Sequence, residues 1–301
     1  MSIVVVGSVA LDSVETPFGK VDEALGGSAV YFSLSAGYYT DVKLVGVVGT
    51  DFPRQHVELL RSRGVHLEGL QFEAGETFRW AGRYSYNLNE CETLYTRLNV
   101  FASFRPQLPE VYRDADVVFL ANIDPSLQLD VLRQVRRPWL TAMDTMNYWI
   151  SDQRDAVTQV MRLVDVVIVN EGELRQYAET YSLLAAARQV LALGPKALVV
   201  KKGEYGAVMF SDGVYFVAPA YPLEEVRDPT GAGDSFAGGF LGHLASEGQI
   251  TRGALKRALI HGSVIASYVV EDFGVRRLLT LGPDEVSRRY QEFREFTHFE
   301  D

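Results

Sequence analysis

In the stretch Asp228-Pro229-Thr230-Gly231-Ala232-Gly233-Asp234-Ser235, two glycines and an alanine present a nearly bare backbone. It leads directly into an apolar helical pattern from Phe236 to Leu244. A ligand can approach such a backbone closely. The first amides of the helix that follows lack intrahelical partners and carry the positive end of its dipole. Together these features describe a site for an anion, most often a phosphate. Asp234 adds a group that a binding-only cradle has no use for, because a carboxylate repels an anionic ligand. It suits a base that takes the proton of a hydroxyl attacking phosphorus. On spacing alone a second reading stays open: Gly231 and Gly233 form a tight turn, and Asp234 caps the helix.

The elements that must position this loop alternate along the chain. Ile3 to Val9 reads as a buried strand, followed by a helix over Ala29 to Tyr39 after the Gly26-Gly27 pair. Val42 to Val48 is a second strand and Phe52 to Arg63 an amphipathic helix ending at Gly64. Strand–helix pairs follow at Asp116–Ile123 and Leu127–Val135, Leu140–Met143 and Asp152–Val164, and Val166–Asn170 and Glu171–Glu179. A helix over Leu183–Leu193 precedes strands at Ala197–Lys201, Ala207–Ser211 and Val214–Ala218, and the last third is helical at Ala232–Ala245, Arg252–Val270 and Pro283–Phe296. Apolar strands bounded by helices predict a mainly parallel sheet covered on both faces. No repeat or Pro/Ser-rich linker divides the chain, so a single domain over 1–301 is expected.

From Thr77 to Asn99 the alternation breaks. Aromatic and β-branched residues at near-alternate positions predict a β-hairpin, a lid insertion over about 75–100. Trp80, Tyr84 and Tyr86 on it would stack on a sugar or base; equally, they would bury the hairpin's own face or make a homodimer contact.

Composition narrows the setting. The chain has 301 residues, 47% hydrophobic and 23% charged, as expected of a globular protein with an ample core. A single cysteine, Cys91, excludes an intrachain disulfide and a thiol zinc cluster. With no basic flank before Ile3 and no apolar run of membrane-spanning length, a cytoplasmic protein is expected. The net charge of −10 argues against nucleic-acid polymers and anionic membranes as partners, though not against a nucleotide. His56, His66, His243, His261 and His298 are scattered and suggest neither a metal site nor a triad. A Walker lysine motif and a dinucleotide GxGxxG after the first strand are both missing.

With these residues in view, the chain resembles the ribokinase-like (PfkB) family of carbohydrate and nucleoside kinases over nearly its whole length. Two signatures in order carry the resemblance, Gly26-Gly27-Ser28-Ala29 and Asp228-Pro229-Thr230-Gly231-Ala232-Gly233-Asp234. Asn170-Glu171-Gly172-Glu173 and Lys202-Gly203-Glu204-Tyr205-Gly206 add to it. The resemblance implies a three-layer α/β/α fold with a small β lid, to which residues from about 11–25 also contribute. It implies an ATP- and Mg²⁺-dependent transfer of the γ-phosphate to a primary hydroxyl, and leaves a monovalent cation open. Asp234 matches the catalytic base, and the amides of Gly231, Ala232 and Gly233 would hold charge on the phosphate.

Asn170 and Glu173 look like the pair that places Mg²⁺, through water, although they also read as a helix capping box. Asn147, Lys201, Gly203, Gly206, Asp228, Thr230 and Ser263 would lie on the nucleotide side, with a β-turn explaining Gly203 and Gly206 equally well. On the acceptor side the resemblance places Asp12, Gly26, Gly27, Ser28, Tyr31 and Trp80; as a turn residue Asp12 has a plainer reading. Tyr31 stands where many sugar kinases have an asparagine, which weakens free ribose as acceptor. A nucleoside such as adenosine, stacked on Tyr31 and the lid, is favoured over a free sugar or sugar phosphate, for which Arg79, Arg83 and Arg97 would have to supply a cationic patch. A catalytically idle nucleotide or sugar sensor is the remaining reading.

Overall fold

Val4, Val5 and Val6 lie at 0% exposure, so the first strand is covered on both faces. This is the burial expected of a central parallel strand. The computed structural model describes residues 1–298; the last three residues of the expected single domain lie outside the described residues. Along the chain the strands are Ser2–Val6 (β1), Ala10–Thr16 (β2), Gly19–Gly26 (β3), Asp41–Gly49 (β4), Val65–Glu73 (β5), Phe78–Tyr84 (β6) and Cys91–Arg97 (β7). They continue as Val117–Leu120 (β8), Leu140–Met143 (β9), Val166–Asn170 (β10), Ala197–Lys201 (β11), Ala207–Ser211 (β12) and Val214–Ala218 (β13).

Nine of these strands form one sheet in the order β13-β12-β11-β10-β9-β8-β1-β4-β5. It is parallel from β5 to β11 and closes with the antiparallel pairs β11–β12 and β12–β13. Val5 sits opposite Leu44 on one side and Phe119 on the other. Alternate residues feed opposite layers. Ile3 and Val5 join a core with Phe32, Phe240 and Leu259, whereas Val4 and Val6 join one with Val131, Val160 and Leu174. The three-layer α/β/α arrangement predicted from the sequence is therefore present.

The other four strands form a separate sheet in the order β3-β2-β6-β7. The expected hairpin over Thr77–Asn99 is β6 and β7, and the contribution from about 11–25 is the β2–β3 hairpin. Parallel pairing of β2 with β6 sets Asp12 opposite Trp80. That register puts the Asp12 carboxylate and the Trp80 indole on the same face of the small sheet.

Several boundaries differ from the sequence reading. β1 stops at Val6 rather than Val9, because past Gly7 the chain leaves the ladder: the Ser8 amide donates to Ser28 Oγ instead of to a neighbouring strand. The helix expected over Ala29–Tyr39 runs Ser28–Ala36. The helix expected over Asp152–Val164 runs Arg154–Met161, and a separate short helix, Asn147–Asp152, precedes it across Gln153 with φ −135° and ψ 41°. Strand β5 and the short helix Arg276–Thr280 went unread. Gly69 inside β5 disguised it. There the strand needs a residue without a side chain, since a Cβ would sit 2.7 Å from Leu44 O.

Candidate active site

Gly231 is the N-cap of the helix Ala232–Glu247, in the left-handed conformation with φ 74° and ψ 0°. No side chain caps that helix end. The Ala232 amide turns back to Pro229 O at 3.2 Å, which removes it from the expected anion cradle. The Gly233 and Asp234 amides carry no backbone partner among the described residues. An open helix entrance of this kind favours an anion. Asp234 lies in the first turn, yet its carboxylate does not cap, and among the described residues no hydrogen bond engages it. The capping reading thus fails, and Asp234 is left as a half-buried acid with nothing bound to it. Burial, then the charge of Asp144, raises its pKa from 3.8 to about 7, against the opposing pull of Lys201.

Three strand ends build the charge around it. At the end of β11, Lys201 Nζ pairs with Asp144 Oδ2 at 2.8 Å; Asp144 is the first residue past β9 and only 4% exposed. The same ammonium lies 3.1 Å from where a Cβ of Gly233 would be, beside the open helix end. Burial alone would lower the Lys201 pKa, but Asp144, Glu173 and Asp234 together raise it. At the end of β10, Asn170 and Glu173 form the capping box: Asn170 Oδ1 accepts from the Glu173 amide at 2.8 Å, and Glu173 Oε2 accepts from the Asn170 amide at 2.7 Å. Burial, then Asp144, pushes Glu173 up to about 7. Asp144, Glu173 and Asp234 therefore oppose one another with Lys201 as their shared counter-charge.

Across the cleft, Asp12 Oδ2 accepts from the Gly27 amide at 3.2 Å. Burial holds its pKa at about 7, lowered by that bond and raised by Asp234 and Asp228. Trp80, half-buried, is its neighbour on β6. Several acceptor-side expectations change here. A Cβ on Gly26 would fall 1.9 Å from Asp12 Oδ2, and one on Gly27 would fall 2.5 Å from Ser8 O. Both glycines are thus required by the protein's own packing. Ser28 Oγ accepts from the Ser8 amide and its own amide donates to Ser8 Oγ, so the hydroxyl is engaged internally. Tyr31 is 1% exposed, and three of its ring carbons lie 2.4 Å from a Cβ added at Gly231. Its ring is the floor beneath the Gly231 turn rather than a face open for stacking.

A cavity of about 530 Å³ lies on the other side of the helix entrance. Lys201, Gly203, Gly206, Ala232, Gly233 and Ser263 line it, with Phe236, Ala266 and Val270 as an apolar wall. Four residues expected on the nucleotide do not reach it. Asn147 is exposed, and its Oδ1 accepts from the Tyr148 amide at 3.0 Å. Asn170 is committed to its cap. Asp228, 1% exposed, accepts from the Thr230 amide at 2.9 Å and the Gly274 amide at 3.0 Å, which ties the loop to the chain after the helix Arg252–Val269. Thr230 Oγ1 faces Tyr84 Oη of the lid at 3.4 Å. Gly206 is fixed by β13, where a Cβ would meet Ala218 O at 2.1 Å. On the lid, Arg79 is paired with Glu23 and Asp51 at 2.7 Å each, Arg83 with Glu15 at 3.3 Å, and Arg97 lies over the Tyr95 ring. They leave no free cationic patch of the kind a sugar phosphate calls for.

Sequence reasoning missed two contributors. The stretch Asp144-Thr145-Met146-Asn147 reads as a strand end, where ligands gather in open sheets, but the sequence singles out Asn147 from it, whereas Asp144 is the residue that joins the charge cluster. The lid tip, Tyr86 to Asn89, also lines the cavity. Apart from the Tyr86 ring, no local signal pointed there, because the contact spans more than a hundred residues of chain.

A parallel sheet whose strand ends gather a bare helix entrance, a free carboxyl and a shared lysine defines a phosphotransferase acting on an alcohol group. The sequence profile of the family described as pfkB family carbohydrate kinase matches residues 2–280, and the chain belongs to that family. Membership implies ATP as donor and, typically, a divalent metal. The chain is 31% identical over 248 residues to a cytidine kinase of Thermococcus kodakarensis, covering 80% of this chain and 87% of the relative. It is 28% identical over 240 residues to a nucleoside kinase of Methanothermobacter thermautotrophicus, covering 77% and 74%. Among solved structures, the Methanocaldococcus jannaschii nucleoside kinase shares the fold at TM-score 0.77 and 21% identity, covering 97% of this chain and 98% of that one. No helix among the described residues is long and apolar enough to cross a membrane.

Proposed function

We propose that this protein is a nucleoside kinase that moves the terminal phosphoryl group of ATP to a primary hydroxyl of a ribosyl acceptor. The observation that carries the reading is the uncapped, unpartnered Asp234 carboxyl at the open helix entrance, with a pKa of about 7. A base works best when its pKa lies near the working pH. Asp234 takes the proton as the hydroxyl oxygen attacks the terminal phosphorus; the bond to the bridging oxygen breaks, and its electrons leave with ADP. The Gly233 and Asp234 amides and Lys201 stabilise the charge on the transferring group. Asp12 accepts hydrogen bonds from acceptor hydroxyls, and Trp80 closes over them.

The acidic residues also fit a magnesium ion. Among the described residues no three His, Cys, Asp or Glu side chains gather as a metal cage. Glu173 nonetheless keeps one carboxylate oxygen out of its capping box, and the mutual repulsion with Asp144 and Asp234 favours a cation nearby. That pattern suits Mg²⁺, which keeps several waters and relies on substrate phosphates for its other ligands. When bound it would neutralise charge on the phosphates.

A nucleoside acceptor draws support from the similarity to kinases named for cytidine and nucleosides, and from the paired state of Arg79 and Arg83. A homodimer contact through the lid is supported by β7, an edge strand exposed at every residue. The test is ATP-dependent phosphorylation across cytidine, adenosine, inosine, uridine, ribose and ribose phosphates. Turnover of nucleosides with kcat/KM at least tenfold above the sugars is expected; preference for a sugar would sink the acceptor assignment. Asp12→Ala should raise the acceptor KM by about 10²-fold, as expected when a site built to bond a hydroxyl loses its partner. The KM for ATP should stay within about threefold, and equal effects on both substrates would remove Asp12 from the acceptor pocket.

A further inference from the structure

One hairpin reaches both halves of the site. β6 carries Trp80 opposite Asp12 and then Tyr84, whose hydroxyl lies 3.4 Å from Thr230 Oγ1 in the phosphate loop. The loop after it, Tyr86 to Asn89, lines the 530 Å³ cavity together with Lys201, Ala232 and Gly233. Asn89 makes the closest approach: its Nδ2 donates to Glu204 Oε1 at 3.3 Å. Gly203 is left-handed at φ 56°, and a Cβ there would fall 2.2 Å from Asn89 Oδ1. The missing side chain that the sequence suggested as room for a nucleotide instead makes room for the lid tip.

We propose that Asn89 is a positioning residue for the phosphate donor, and that the lid tip couples donor to acceptor binding. A hairpin held at its tip by a filled cavity also holds Trp80 against the acceptor beside Asp12. Lifting it from either half exposes the other. Only the acceptor arm rests on the nucleoside-kinase reading; the donor arm stands on the cavity itself. Coupling of this kind is reciprocal, and values of about 5- to 150-fold are typical between two sites.

The experiment is calorimetric titration of the non-hydrolysable analogue AMP-PNP with Mg²⁺, with and without a saturating amount of whichever compound the acceptor panel turns over fastest. In the wild type the acceptor should tighten AMP-PNP by about tenfold. Asn89→Ala should weaken AMP-PNP alone by about fivefold and reduce the coupling below about twofold, with the KM for ATP rising by a larger factor than kcat falls. Glu204→Gln, which keeps an acceptor for the Asn89 amide, should retain the coupling. An Asn89→Ala variant with wild-type AMP-PNP affinity and coupling overturns the proposal, as does a wild type without coupling. If the panel shows turnover of sugars only, the nucleoside reading fails, while the effect of Asn89→Ala on AMP-PNP still decides the donor role.

Discussion

Asp234→Asn is expected to lower kcat by about 10²- to 10⁴-fold while leaving the Kd for AMP-PNP within about threefold. The amide has nearly the shape of the carboxyl but cannot take a proton, and among the described residues no hydrogen bond depends on the Asp234 side chain. The wild-type pH profile should show the same group. Since the base must be ionised, kcat/KM falls as the pH drops, with its midpoint near 7. Asp12 sits at about 7 as well, raised chiefly by burial and in part by Asp234, so the limb reports both acids. Residual activity of the Asn variant should lose the Asp234 part of that limb and keep the part Asp12 contributes.

Stability should move in the opposite sense. The folded carboxyl holds its proton up to about 7, whereas 3.8 applies to the unfolded chain, so the native state binds more protons between those values. Stability therefore drains away as the pH rises through that window. The Asn variant does not share the loss: it should melt with the wild type at pH 4 and about 2–4 °C above it at pH 8. Near-normal kcat, or a melting advantage at pH 4 that vanishes at pH 8, would contradict the role of Asp234.

The parts of this molecule that could be read from its sequence are those encoded locally. Val4-Val5-Val6 and Val166 to Val169 are apolar on both faces, which only a covered parallel sheet accepts, and the layers followed from that. The phosphate loop was legible because Gly231 and Gly233 announce a bare backbone before a helix. What the sequence left open was decided by long-range contacts. Gly26, Gly27, Gly203 and Gly206 look alike as letters. In the fold, Asp12, Ser8, Asn89 and the end of β13 respectively fill the space their side chains would have taken. Tyr31 reads as an aromatic available for a base, yet it is spent under Gly231. Asp144 and Lys201 are 57 residues apart, and only the pairing of β9, β10 and β11 makes them partners.

That partnership carries the second large prediction. Lys201→Met removes the cation that Asp144, Glu173 and Asp234 share while keeping most of the apolar stem. Asp144 is then a buried carboxylate that has lost its counter-charge, a loss that typically costs about 3–5 kcal/mol. In a chain of this size it should lower Tm by roughly 10 °C at pH 8. Acidification should restore much of it, since Glu173 and Asp234 already titrate near 7 and protonation relieves the repulsion among the three acids. Adding Asp144→Asn to Lys201→Met should recover most of the lost Tm at pH 8, because the pair is coupled and the amide needs no cation. Donor affinity should not recover in that double variant, as the ammonium beside Gly233 is still missing. Equal destabilisation at pH 5 and pH 8, or a double variant no more stable than Lys201→Met alone, would show that Lys201 supports the sheet by packing and not by holding three acids together.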